Sequence, residues 1–357
     1  MKIKSRKVNI FLRKHKIALA LILMAVLVAG GLIAYNYYLL GNVQFKTPKL
    51  VLKTKPKETR IAAPLTGLLV DPSVTSRRPL AVIIENHPDA RPQSGYPKAD
   101  LVYETLAEGG ITRTMAIYQS QDADEIGPVR SARLYFIDWL SEYNAVFVHV
   151  GGNIDALDAV SAQKIPDINQ FYYGSYFWRA TNRYAPHNVY TTTAKLYEAL
   201  SAAKIPVTSN VTPLNFKKEA TTDQRPVSQL ININFSTPLF VASYSYVPKT
   251  NDYLRSVGGV PHKDKVTGAQ IHVKNIVVQY ENMSPGISRA GEQKMNISTI
   301  GRGKALIFQD GKTIVGTWEK SSQNSRTKYL DSLGKEIIFN PGQTWFEIVP
   351  QTATVSY

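Results

Sequence analysis

Ile17 to Ala34 is an unbroken apolar run, IALALILMAVLVAGGLIA, continued by Tyr35-Asn36-Tyr37-Tyr38-Leu39-Leu40. A run of that length supplies the roughly 20 residues an α-helix needs to cross the hydrocarbon core of a bilayer. The tyrosines at one end suit the membrane interface. A cleaved signal peptide would have a shorter apolar core of about 7–15 residues followed by a small-x-small site. Here the run is longer and Ala29-Gly30-Gly31 lies inside it, so an uncleaved single-pass anchor is expected over residues 17–40. Lysines and arginines flank both sides. The upstream cluster, ending at Arg13, Lys14 and Lys16, lies nearest the span, which puts residues 1–16 in the cytoplasm and the bulk of the chain outside.

The net charge of +15 suggests nucleic-acid binding until it is located. Residues 1–78 hold the excess, whereas residues 79–357 carry 27 basic and 25 acidic residues. A nucleic-acid groove needs its charge on the folded part, so that partner is not expected. The chain has no cysteine, which removes disulfides, thiol nucleophiles, Cys-based metal sites and a lipidated cysteine. Residues 41–64, rich in Lys, Thr and Pro, read as an extended tether. With 44% hydrophobic residues the remainder is long enough for about two folded units.

From 65 to 205, strands alternate with helices, which argues for an α/β domain. Leu80 to Asn86 and Ala145 to Val150 read as buried strands, Ala99 to Ala107 as strand or short helix, and Thr112 to Gln119 as a strand. Asn153 is placed to cap a helix ending at Ala162, and Thr192 to Lys204 reads as a closing helix. Residues 206–229 keep no period and read as an interdomain linker. Beyond them, 230–236, 239–247, 271–280, 303–309, 312–319, 335–340 and 344–350 read as strands of a mainly β domain over 230–357, with Asp310-Gly311 as a hairpin turn.

Gly127-Pro128-Val129-Arg130-Ser131-Ala132-Arg133 reads as the opening of a long helix, because proline is favoured at the first turn. Arg130 and Arg133 would then share a face beside free backbone N–H groups, a site for a carboxylate or phosphate. Arg113 joins them as a further candidate, with Ser131 between them. Pairing with Glu104 or Glu108 is the structural alternative. Those two glutamates, four apart, share a face in either a helix or a strand, and could serve as acid and base. His149 and Asn153 flank Gly151-Gly152 where a strand leads into a helix, a common ligand position in α/β sheets. His187 and Asn188 lie in a loop after Pro186 and complete the candidate set. No metal or cofactor is expected. His262, Asp264 and His272 lack the short repeated spacing of a metal motif, and no P-loop, GxSxG elbow or EF-hand loop occurs.

Nine stretches, RPLAVIIEN (78–86), ARPQSG (90–95), ADLVYETLAEGGITR (99–113), GPVRSAR (127–133), HVGG (149–152), APHN (185–188), VPHKDKVTG (260–268), GKALIFQDGKTIVGTWEK (303–320) and NPGQTWFEIVP (340–350), make the chain resemble the YerB-like lipoprotein family. That is a two-domain bacterial family of unknown biochemical function. The resemblance implies an envelope location and a two-domain split, and no reaction. This chain lacks the lipid-bearing cysteine that the family name implies, and the apolar helix can serve the same anchoring purpose.

Three functions fit these residues. The first is an extracytoplasmic binding or scaffolding protein of the cell envelope, holding an anionic ligand or a protein partner in a cleft of the α/β domain. The second is a hydrolase or transferase of an envelope polymer using the same His, Arg and Glu residues. The third is a structural subunit of a membrane complex with no small ligand. Whether the protein is an enzyme stays open at this point.

Overall fold

The computed structural model describes the backbone of residues 4–40 and all of residues 59–357. Two compact units divide the chain, one ending at Lys57 and one beginning at Glu58. In the first, helix α1 (Lys4–Leu40) runs through the apolar segment. The stretch Lys16–Leu39 has a mean hydropathy of 2.8 and is long and apolar enough to cross a membrane. The tether over residues 41–58 and the basic side chains ahead of Lys16 fall outside the described residues. The end of the expected tether is part of the folded unit. Ile61–Ala62 pairs with Leu69–Val70, and Ala63 is buried.

In the second unit the strands are β1 (Leu80–Glu85), β2 (Leu101–Leu106), β3 (Thr112–Tyr118), β4 (Val146–His149) and β5 (Asp167–Asn169). There follow β6 (Leu230–Asn234), β7 (Val241–Val247), β8 (Asp252–Val257), β9 (Asn275–Glu281), β10 (Met283–Ile287) and β11 (Gln293–Ile297). The last are β12 (Gly301–Gln309), β13 (Lys312–Lys320), β14 (Lys328–Asp331), β15 (Thr344–Pro350) and β16 (Thr354–Ser356). Helices α2 (Leu134–Ser141), α3 (Ile154–Ala162) and α4 (Thr193–Ala202) complete the frame.

Ten strands form one sheet in the order β14-β13-β12-β9-β15-β2-β3-β1-β4-β5. The two halves of the sequence therefore meet within a single sheet, where β15 pairs in parallel with both β9 and β2. The central strands β1, β2 and β3 are buried at every residue, as expected where both faces of a sheet are covered. One face carries Ala81, Ile83, Tyr103, Met115 and Phe346 against Phe136, Trp139 and Leu140 of α2 and Ala156 of α3. The other carries Val82, Val102, Ala116, Val278 and Trp345 against α4 and against Ile231, Tyr244 and Tyr253 of a second, six-stranded sheet built on β8-β7-β6-β16. The strands of the C-terminal segment thus extend the N-terminal sheet and also form the layer over one of its faces.

Residues 128–133 are not helical. The Gly127–Pro128 peptide is cis, and the following backbone is extended. Glu85 N donates to Pro128 O at 3.0 Å, Arg130 N to Ile83 O at 2.9 Å, and Val150 N to Arg130 O at 3.0 Å. Backbone pairing with β1 and with the residue after β4 has overridden the proline signal, and the helix begins only at Leu134. Residues 335–340 likewise make only isolated bridges, Leu330↔Glu336 and Phe216↔Phe339. Asn153 caps α3 as expected, its side chain accepting from Asp155 N at 3.0 Å. Asp310 and Gly311 both have positive φ at the turn between β12 and β13.

Candidate functional site

The parallel strands β1, β2 and β4 end on one side of the sheet, and several of the predicted residues lie there or in adjoining loops. Because the 128–133 segment is extended, its side chains alternate, and an odd spacing sends Arg130 and Arg133 apart. Arg133 faces Glu108. Its Nε donates to Glu108 Oε1 at 2.8 Å and its Nη2 to Oε2 at 2.6 Å, while Nη1 reaches Ala132 O at 2.8 Å. Burial works against ionised Glu108, but the bonds and charge of Arg133 outweigh it and hold the carboxyl below its ordinary value. This pair is closed on itself.

Arg130 faces a different acid, Glu85, the last residue of β1, with Nε 3.1 Å from Oε1. The other oxygen, Oε2, lies 2.8 Å from Nδ1 of His187. Sequence reasoning had not singled out Glu85. The signal was a charged residue closing the otherwise apolar LAVIIE run. Arg113 lies directly across from Glu85 in the β1–β3 register. Arg113 as a whole residue is 7% exposed. Nη1 donates to Ser131 O at 3.3 Å, and Nε has no hydrogen-bond partner among the described residues. Burial, followed by the charge of Arg133, pulls Arg113 down to about 10. Ser131 contributes its carbonyl, not its hydroxyl, to this arrangement.

His187 and Asn188 occupy a loop held by its own side chains. Buried Asn188 accepts from Arg179 Nη1 at 2.9 Å and donates to Ala180 O at 3.2 Å. Arg183 ties the loop to the one after β1, donating to Ala90 O at 2.5 Å and Pro92 O at 2.7 Å. The His187 ring stacks on that of His87, with centroids 5.1 Å apart and planes 19° apart. His87, Asp89 and His187 each bring one metal-ligating atom within 4.8 Å of the others.

The remaining predicted residues are dispersed. His149 is fully buried, with Nδ1 2.7 Å from Gly151 O and Nε2 3.2 Å from Asp167 Oδ2. Asn153 caps α3 and donates to Glu292 Oε2 at 2.8 Å. Glu104 does not join Glu108. It points to the opposite face of the sheet and pairs there with buried Arg255, which stacks on Trp345 with its guanidinium carbon 4.3 Å from the ring centroid. Glu347 and Tyr244 bond beside them. Burial and the neighbouring Glu104 raise Glu347 well above an ordinary carboxyl, and burial, then Arg255, drives His262 far down. The loose trio of the second segment does not converge on a metal. His262 bonds Arg255 and Gln93, Asp264 accepts from Gly95 N, and exposed His272 pairs with Asp252. Among the described residues, the four expected to share a cleft turn to different acids: Arg130 and His187 to Glu85, Arg133 to Glu108, and His149 to Asp167. A cavity of about 120 Å³ beside Arg133 is lined by Tyr135, Asp138, Asn153 and Lys294, without Arg130 or His187.

Two models of one family cover most of the second unit: the N-terminal domain of a protein of unknown function (DUF3048) matches residues 65–206, and the C-terminal domain of the same family matches residues 231–346. The chain belongs to the DUF3048 family. A relative, the "Putative lipoprotein YerB" of Bacillus subtilis (strain 168), is 36% identical over 302 residues, which is 83% of this chain and 88% of the relative. The crystal structure of YerB from Bacillus subtilis superposes with a TM-score of 0.75 at 35% identity, covering 84% of this chain and all of the other. This DUF3048 chain thus shares its fold with a protein named as a putative lipoprotein, and carries an apolar N-terminal helix consistent with membrane association.

Proposed function

We propose that this DUF3048 protein is a single-pass, N-in membrane protein whose extracytoplasmic part binds an anionic ligand of the cell envelope through Arg113 and Arg130. The observation that carries the reading is Arg113. A buried guanidinium is normally matched by a carboxylate, yet among the described residues this one donates to the Ser131 carbonyl at 3.3 Å and its Nε has no hydrogen-bond partner. Arg130 adds a second guanidinium held from one side by Glu85. Arginine pairs suit carboxylate and phosphate groups because their N–H forks match those oxygens in plane. Tyr184, 92% exposed in the His187 loop, offers an apolar face to the rest of a ligand. Arg133, closed by Glu108, leaves the proposed binding pair and keeps a structural place.

The test is thermal stability of the full-length chain in detergent with inorganic phosphate, pyrophosphate and poly(glycerol phosphate), with chelator present throughout. A ligand that binds the folded state raises the melting temperature by mass action. The expected result is a concentration-dependent rise that disappears in the Arg113→Gln/Arg130→Gln double variant. A rise that survives in that variant, or none with any of the three anions, overturns the reading.

A further inference from the structure

We propose that His87, Asp89 and His187 form a binding site for one divalent transition-metal ion, with Glu85 orienting His187. The ligand set is two imidazoles and one carboxylate, a combination that suits Zn²⁺, Co²⁺ or Ni²⁺ better than Mg²⁺ or Ca²⁺. Three protein ligands also leave an open position of the kind found in catalytic zinc sites. His87 Nδ1 lies 3.5 Å from Asp89 Oδ2 and accepts from Asp89 N at 3.2 Å, a backbone bond that a metal held at Nδ1 would replace. Two ligand atoms bound to one zinc at about 2.1 Å in tetrahedral geometry stand about 3.4 Å apart, so this pair is already at chelating distance. One ligating atom of each residue falls within 4.8 Å of the others. Small rotations of half-buried His87 and of Asp89, whose side chain is 71% exposed, close the set.

His187 is the ligand fixed in advance. Its Nδ1 is committed to Glu85 Oε2 at 2.8 Å, which leaves Nε2 to carry the lone pair. A carboxylate behind a metal-binding histidine sets the tautomer, orients the ring and raises its basicity. The loops bearing His87 and His187 are tied together by Arg183 through Ala90 O and Pro92 O, so the ligands on both are positioned by bonds outside the site.

This proposal stands apart from anion binding, and its test uses no anionic ligand. The full-length chain, purified in detergent with a histidine-free tag and stripped of metal by chelator, is titrated with ZnCl₂ by calorimetry. Uptake of one equivalent is expected. His87→Ala and Asp89→Asn should each weaken it at least tenfold, and Glu85→Gln tenfold to 100-fold, as for other outer partners of metal ligands. His272→Asn should leave uptake unchanged. Circular dichroism checks folding, and Asp89→Asn, altering an exposed side chain, keeps the test decisive if a histidine variant misfolds. Lack of stoichiometric uptake by the folded wild type, or equal uptake by wild type, His87→Ala and Asp89→Asn, overturns the proposal. The Arg113→Gln/Arg130→Gln variant should still bind Zn²⁺, so failure of the anion reading and failure of this one are separable.

Discussion

Glu85 shows how much one carboxylate can organise. It ends β1, sits opposite Arg113 in register, and divides its two oxygens between Arg130 and His187. A different glutamate, Glu281 at the end of β9, has no cation among its bonds to the described residues. Burial pushes it up to about 8, only partly opposed by a hydrogen bond from Gln279. A carboxyl raised in the native state binds its proton more tightly there than in the unfolded chain. Its burial is therefore free of penalty well below pH 4.5, where both states are neutral, destabilises progressively as pH rises from there to about 8, and levels off above. Glu281→Gln should raise the melting temperature at pH 9 and leave it nearly unchanged at pH 4. An equal shift at both pH values would show that the penalty is not ionisation. Arg255 makes the opposite case. It is fully buried and satisfied by Glu104, Tyr244 and His262. Arg255→Ala strands Glu104 and should cost about 3–5 kcal/mol by denaturant unfolding, in the range of other broken buried pairs.

At the level of elements, the decisive segment is 127–133. Its sequence has the marks of a helix start, but its N–H and C=O groups are used by β1, by Val189 and by the residues after β4. That exchange moves Arg130 and Arg133 from one shared face to two separate acids. The start of α3 follows local rules instead. Asn153 accepts from Asp155 N and also donates to Glu292. Asn153→Ala should cost about 1 kcal/mol from the lost cap. Asn153→Asp keeps the cap acceptor but sets a carboxylate against Glu292, so it should be destabilising in spite of its good capping oxygen. Equal stability of Asp and Asn at this position would remove the Glu292 contact from the account.

At the scale of the whole molecule, β15 is inserted between β9 and β2, so the family's two halves share hydrogen bonds and both hydrophobic clusters. Residues 59–357 should melt in one cooperative calorimetric transition. A fragment of residues 65–206 should fail to fold, since the edge of β2 and the sheet face under Tyr244 and Tyr253 would be bare. Two separate transitions, or a folded fragment, would overturn this. Removal of residues 1–40 should release the protein from membranes into the soluble fraction, because Lys16–Leu39 is the described segment long and apolar enough to cross.

Local information was enough for the apolar helix, for buried strands such as β1, β3, β4 and β15, for the cap of α3, and for the turn at Asp310-Gly311. Each depends on neighbours in the chain: hydropathy over a window, a side chain reaching its own helix start, or a backbone needing positive φ. The candidate site was legible only in part. Arg113, Arg130 and His187 could be named, but nothing along the chain ties Glu85 to His187, His87 to His187, or Glu104 to Arg255, pairs 102, 100 and 151 residues apart. Sequence by itself determined what each segment could bury and which side chains carried charge. Tertiary structure decided which charges met, because ion pairs and strand edges are satisfied by whatever the sheet brings alongside, regardless of distance in the chain.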